Sequence, residues 1–146
     1  MRIILWIVLL VVCIPAKTLH APLPPEAYRA KTIAIVNHTG TQRVADRAYQ
    51  ELQSWGRFTV VTDPAAADIV LVVGTDRRVA GATANTYGNT TYVNPRRVVD
   101  IVTSFILKGQ GEPFFSETER ASLFRKSATK RCIDDFKNRL EEQAQP

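Results

Sequence analysis

Six residues in the middle of this sequence have side chains that suit the binding of an anionic partner. They are Arg77, Arg78, Arg96, Arg97, Tyr87 and Tyr92. The two arginine doublets stand on either side of residues 79–95, a stretch rich in Ala, Thr, Asn and Gly. If that stretch forms a hairpin, the four guanidinium groups gather at its base and could hold an anionic glycan or a lipid headgroup through paired hydrogen bonds. The alternative is a basic rim that is merely solvated.

Nucleic acid suits these residues less well as a partner. Single-strand binders interleave stacking aromatic residues with their basic residues, and the two tyrosines are the only aromatic side chains in the stretch. The whole chain has 19 basic and 14 acidic residues, and its formal charge of +5 also suits a protein that is simply soluble. We therefore expect a protein, an anionic glycan or a lipid headgroup as the partner, and no nucleic acid.

A small secreted hydrolase is the alternative from another class of function. Asp63 and Asp68 flank a short Pro-Ala turn, and His38 follows the first predicted strand. Two carboxylates can supply a general acid and a nucleophile only when both reach one cleft, and a histidine can act as a base. Each residue also has a structural explanation, with Asp63 as a helix N-cap, Asp68 before a strand and His38 in a turn. The chain has no GxSxG motif, and we expect a protein that is not an enzyme.

Sequence motifs for a cofactor or a metal are missing. The turn at residues 38–41, between a strand and a helix, has one glycine where a dinucleotide-binding motif needs three, and no lysine for a phosphate-binding loop. His38 and Cys132 lie on different predicted elements, far from the spacing of a zinc motif. We expect neither a cofactor nor a metal site.

The first residues of the chain predict export. An apolar run over residues 3–14 follows one basic residue and stops at a proline, and its length of about a dozen residues is short of the ~20 that cross a bilayer. This pattern predicts a signal peptide over residues 1–21, cleaved at Ala21 or at Ala16, and a periplasmic or secreted protein whose mature chain has no stable transmembrane span. Lipidation of Cys13 is less favoured, because a valine rather than a small residue precedes it.

The elements that must position these residues follow the order β-α-β-β-β-β-α. The patterns predict strands at 32–37, 58–62, 69–74, 98–107 and 113–116, and helices at 44–55 and 125–143. Since each helix has one apolar stripe to bury, we expect an α+β fold with both helices on one face of a mixed, mostly antiparallel sheet of four to six strands.

The domain boundaries follow from the prolines and from the change in composition. Residues 22–31 contain three prolines, which predicts an extended leader before a single domain at 32–146. Residues 79–95 form an insert in that domain, either a hairpin with its tip near Gly88 or a loop.

Two polar groups are expected in particular environments. Cys132 recurs at helical spacing with the apolar residues of the last helix, which predicts a buried structural thiol. Asp100 lies in the middle of a strand. Either that face of the strand is solvated locally, or Asp100 pairs with an arginine, for which Arg77 or Arg78 on the neighbouring strand is the candidate.

Residues 31–73 resemble the opening of a group of bacterial envelope proteins. The matching motifs are Arg57-Phe58 to Val61 and the run Ala66-Ala67-Asp68-Ile69-Val70-Leu71. The group comprises the lipopolysaccharide-assembly lipoprotein, the penicillin-binding-protein activator lipoprotein, the curli-secretion family and the N-terminal domain of TolB. The resemblance implies a periplasmic, non-enzymatic module that binds an envelope protein or an anionic glycan, and it transfers no catalytic residue. Our hypothesis is an exported, non-catalytic binding or assembly accessory protein of the cell envelope.

Overall fold

The computed structural model describes residues 22–121 and 127–142 and contains five strands and three helices there. They are α1 (Pro25–Arg29), β1 (Thr32–Asn37), α2 (Gln42–Trp55), β2 (Thr59–Val61), β3 (Ile69–Tyr87), β4 (Thr90–Leu107), β5 (Phe115–Arg120) and α3 (Ala128–Glu142). The strands form one sheet in the order β2-β1-β3-β4-β5. β1 runs parallel to β2 and β3, whereas β3-β4 and β4-β5 are antiparallel. The predicted α+β fold with a mixed sheet is confirmed.

The core lies between the sheet and the two long helices. Ile69, Leu71 and Val73 alternate along β3 toward this side, and α2 and α3 contribute the apolar stripes that the spacing predicted. Phe136 of α3 stacks on Phe105 of β4, with ring centroids 3.9 Å apart.

Helix α2 begins at Gln42, two residues before its predicted start, and ends at Trp55 as predicted. Gly56 follows it with a φ of 70°, the left-handed conformation expected of a C-terminal glycine. Thr41 occupies the N-cap position, but its side chain makes no capping hydrogen bond. The turn is held instead by Asn37, whose Oδ1 accepts hydrogen bonds from the backbone N–H and the hydroxyl of Thr39.

The segment before β1 differs from the prediction. Residues 22–31 were expected to be extended, but Pro25–Arg29 form the short helix α1, with a proline in its first turn, where the missing N–H costs nothing. Leu23, Ala27 and Ala30 are buried and join the core. The three prolines therefore do not mark a leader outside the domain.

Other predicted boundaries shift by several residues. β5 begins at Phe115 and continues to Arg120, beyond the predicted end at residue 116, and α3 begins at Ala128 rather than at residue 125. The predicted signal peptide, its cleavage and the lipidation of Cys13 lie outside the described residues. Across 22–121 and 127–142, none of the helices combines the length and the apolar character needed to cross a membrane.

Strands β3 and β4 extend far beyond the rest of the sheet. β1 pairs with β3 only as far as Val73, and β5 pairs with β4 only as far as Asp100. From there, residues 77–98 pair only with each other among the described residues, and we call them the ribbon. With eleven residues on β3, Arg77–Tyr87, at about 3.3 Å each, the ribbon is about 35 Å long. Of the two predicted alternatives for residues 79–95, the structure has the hairpin, with Gly88 and Asn89 at its tip.

Candidate binding ribbon

The pairing register divides the ribbon into two faces. Residues directly opposite each other in an antiparallel pair lie on the same face, and so do residues two apart along one strand. One face, which we call the tyrosine face, carries Arg78, Thr83, Asn85, Tyr87, Thr90, Tyr92, Asn94 and Arg96. The other, the valine face, carries Arg77, Val79, Ala82, Ala84, Val93, Pro95 and Arg97.

A β-bulge sets this division. The register passes from the pair Val79 and Arg97 to the pair Ala82 and Pro95, so β3 has one more residue than β4 at this point. Gly81 in the bulge has a φ of 137°, a conformation that residues with a Cβ rarely adopt. The extra residue changes which β3 side chains share a face, and it places Tyr87 on the same face as Tyr92.

Most of the ribbon's surface is exposed. Tyr87 is 76% and Tyr92 57% exposed on one face, and Val79 is 63% and Val93 62% exposed on the other. A two-stranded antiparallel ribbon is only marginally stable by itself in water, because neither face is buried. The ribbon thus presents large side chains and unpaired strand edges that no described residue covers.

Arg78 is neutralised by a buried carboxylate. Its Nε donates a hydrogen bond to Oδ2 of Asp100 at 2.5 Å, and Asp100 is 1% exposed. This contact confirms the expected pairing of Asp100 with one of the two arginines. The second oxygen, Oδ1, accepts no hydrogen bond from any residue that the structure describes, and Nε of Arg120 lies 4.0 Å from it. The sequence missed Arg120, because β5 was predicted to end before it.

The other three arginines of the two doublets form no ion pair with a described residue. Arg77 and Arg97 are diagonal neighbours on the valine face and border a depression of about 460 Å³ that Val79 and Val99 also line. Arg96 lies opposite the bulge on the tyrosine face. The four arginines therefore gather at one end of the ribbon, as a hairpin requires, but two point to each face.

The three residues of the hydrolase alternative do not converge on one cleft. Asp68 precedes β3 beside Thr32 at the start of β1, whereas His38 follows the end of β1, where its backbone N–H donates to Val73. Six residues of extended chain separate these ends by about 20 Å. Asp63 lies in the turn between β2 and β3, where its Oδ1 accepts a hydrogen bond from the N–H of Ala65 at 2.9 Å.

The carboxylate of Asp68 has a structural partner in the backbone. Its Oδ2 accepts hydrogen bonds from the N–H groups of Lys31 at 2.8 Å and Thr32 at 3.0 Å, and its own N–H donates to the Thr32 hydroxyl. The two backbone hydrogen bonds to the ionised form hold the pKa of Asp68 below its ordinary value. This arrangement ties the start of β3 to the start of β1.

Cys132 is a buried thiol, as its helical spacing predicted. It is fully buried on α3, and its Sγ donates to the carbonyl oxygen of Glu117 at 3.9 Å. Burial raises the pKa of the thiol to about 11, so the nucleophilic thiolate is not formed near neutral pH. Within residues 22–121 and 127–142, no group of three or more His, Cys, Asp and Glu side chains could hold a metal ion.

Comparisons with known proteins give likenesses in structure alone. No family model matches the chain, and no curated protein matches it. The chain is similar to a PelC dodecamer subunit from Paraburkholderia phytofirmans, with 19% identity, a TM-score of 0.46 and coverage of 82% of this chain and 93% of that one. It is also similar to lipoprotein GNA1162 from Neisseria meningitidis, with 11% identity, a TM-score of 0.34 and coverage of 77% and 99%. A minor lipoprotein from Acinetobacter baumannii has 16% identity, a TM-score of 0.33 and coverage of 79% and 87%. All three are bacterial proteins and two are lipoproteins, but likenesses at these identities and TM-scores carry no functional conclusion, and they do not confirm the individual families that the sequence suggested.

Proposed function

We propose that this chain is an exported, non-catalytic binding or assembly accessory protein of the bacterial cell envelope, and that the ribbon contacts its partner. The observation that carries this proposal is the ribbon itself, which projects about 35 Å beyond the sheet with both faces exposed. Long exposed edge strands tend to pair with other chains unless charged side chains block them or another element covers them. A binding partner would cover them.

The charges at the base of the ribbon support an anionic partner. Arg77, Arg96 and Arg97 lie at the same end of the ribbon and form no ion pair with a carboxylate of the described residues, whereas Arg78 already pairs with Asp100. An envelope protein with an acidic surface, an anionic glycan or a lipid headgroup would each satisfy these guanidinium groups. The hydrolase alternative has no comparable support, since Asp63 and Asp68 make hydrogen bonds that stabilise the fold.

Site-specific cross-linking in living cells tests this proposal. A photo-cross-linking residue is placed at position 85 or 93 on the ribbon, and as a control at position 53, which is exposed on α2. We expect adducts with one defined envelope component from both ribbon positions and none from position 53. The proposal fails if the three positions give the same adducts, or if the ribbon positions give none in cells that export the chain.

A second variant separates loss of the ribbon from loss of the fold. Because Arg78 and Val98 are direct cross-strand partners, a two-residue Asn-Gly turn in place of residues 79–97 would close the shortened hairpin. A photo-cross-linking residue at position 76 of this variant should then capture nothing, although the protein remains folded. Capture of the partner by this variant would show that the body of the domain, and not the ribbon, makes the contact.

A further inference from the structure

We propose that the tyrosine face of the ribbon binds an extended acidic polysaccharide. The inference rests on the proposed function, in which the ribbon is the element that contacts the partner, and it names the partner's chemistry. It follows from the order of the side chains along this one face, which runs from two tyrosines through amides and hydroxyls to an arginine.

The two tyrosines lie on one face near the tip of the ribbon. Tyr87 is opposite Thr90, and Tyr92 lies two residues further along the same strand, so the rings are diagonal neighbours on one face. Both rings are more than half exposed. Tyrosine offers a large, stiff surface with a polar end, so binding through it orders few rotatable bonds. Such rings suit the apolar faces of sugar rings.

The middle of the face offers hydrogen bonds that sugars can use. Asn85 lies opposite Tyr92, and Thr83 lies opposite Asn94. An amide donates and accepts at once, and so does a hydroxyl, which matches the hydroxyl groups of a sugar. The same groups disfavour insertion of this face into a lipid bilayer, because each would lose its water without gaining a partner.

The end of the tyrosine face nearest the rest of the sheet supplies the positive charge. Arg96 stands two residues from Asn94 on the same strand and has no carboxylate partner among the described residues, and Arg77 and Arg97 add to the local field from the other face. A guanidinium group binds a carboxylate or a sulfate through two parallel hydrogen bonds. Residues two apart repeat about every 6.6 Å along a strand, so from Tyr92 to Arg96 the face offers about 13 Å of recognition surface.

The occupant we infer is therefore a chain of sugar rings that carries acidic groups. A flat nucleic acid base would also stack on a tyrosine, but a single-strand binder repeats aromatic and basic groups along its groove. Here the aromatic and basic groups are segregated to opposite ends of the ribbon, and hydrogen-bonding side chains separate them. That order favours a polymer rich in hydroxyl groups.

Calorimetric titration of the purified chain with oligogalacturonate provides the test. We expect saturable binding that weakens as salt is added, and no comparable binding of neutral dextran oligosaccharides of equal length. Phosphatidylglycerol vesicles and a single-stranded oligonucleotide of matched charge are the other two probes. Equal or tighter binding of any of these three overturns the proposal.

Paired variants locate the binding to one face. Replacing Tyr87 and Tyr92 together by Ala should weaken oligogalacturonate binding at least about tenfold, while replacement of both by Phe should keep most of it. Gln53→Ala, on α2 outside the ribbon, should leave binding unchanged. Arg96→Gln should weaken binding more than Arg97→Gln, its neighbour on the other face. The assignment to the tyrosine face is overturned if the Ala and Phe double variants weaken binding equally, or if Arg96→Gln and Arg97→Gln do.

Failure of this inference can be told apart from failure of the proposed function. If oligogalacturonate does not bind but positions 85 and 93 still cross-link to one envelope component, the polysaccharide is excluded and the ribbon keeps its role. If both experiments fail, the proposed function falls as well. Unfolding midpoints close to that of the wild type confirm that each variant is folded.

Discussion

Two substitutions that remove the same ion pair should differ strongly in their cost to stability. The Asp100 side chain is 2% exposed, whereas the Arg78 side chain is 55% exposed. Arg78→Gln leaves a buried carboxylate whose nearest guanidinium nitrogen, on Arg120, lies 4.0 Å away. Removing one partner of a buried pair costs about 3–5 kcal/mol. We expect the lower end of that range, because half of Arg78 is in water and Arg120 can move closer.

Asp100→Asn should cost far less, about 1 kcal/mol. The arginine left behind is one that water can solvate, and the amide oxygen of the new side chain can still accept a hydrogen bond from it. Arg77→Gln is the matched control. Arg77 is the preceding residue on the opposite face and has no ion pair with a described residue, so its replacement should change stability by no more than about 0.5 kcal/mol.

Urea unfolding at neutral pH, followed by circular dichroism, gives the three free energies of unfolding. The double variant Arg78→Gln with Asp100→Asn completes a cycle, and its stability should be close to that of Asp100→Asn alone, because no buried charge remains. The reasoning would be refuted if Arg78→Gln cost no more than Asp100→Asn. In that case, the carboxylate is solvated or re-paired without Arg78, and Arg78 is as free as the other three arginines.

Three further predictions concern the ribbon, Asp68 and Cys132. Replacing residues 79–97 by Asn-Gly should change the free energy of unfolding by no more than about 1 kcal/mol in the same urea assay, since every residue removed is exposed; a larger loss would mean that the ribbon supports the core. Asp68→Asn should cost about 1 kcal/mol at neutral pH through weaker hydrogen bonds to Lys31 and Thr32. The folded-state pKa of Asp68 lies below its ordinary value of 3.8. The stability that the ionised Asp68 contributes is therefore fully present above pH 3.8 and is lost as the pH falls through the folded-state pKa. The unfolding curves of wild type and variant should converge in acid. Cys132, with its pKa raised to about 11, should react with a thiol reagent at least about a thousandfold more slowly in the native protein than in urea; fast native labelling would contradict its burial.

The apolar pattern was sufficient to predict the body of the domain. β1, α2 and the first part of β3 each have a run or a stripe of apolar residues whose burial decides the local structure. The same pattern placed Cys132 inside α3 and Asp100 in the middle of a strand beside an arginine. These predictions succeeded because burial against the core leaves one arrangement of each segment much more stable than the others.

The pattern failed where burial depends on distant residues. Prolines near residue 24 suggested an extended segment, but two small alanines and Leu23 fit against the core, and α1 forms there. The tip-side half of β4 has few large apolar residues, and its pairing with β3 is what makes it a strand. Neither the helix α1 nor the tip-side half of β4 could be predicted from local composition, because both form through contacts with residues distant in the sequence.

The faces of the ribbon show most clearly what alternation alone cannot give. Counting by twos along β3 from Val79 would put Thr83, Asn85 and Tyr87 on the face of Val79. The bulge at Gly81 shifts that count by one residue, so these three side chains join Tyr92 and Asn94 instead. Since one inserted residue exchanges every side chain beyond it between the two faces, the chemistry that the ribbon offers to a partner is set by the backbone at Gly81 as much as by the residues that would make the contact.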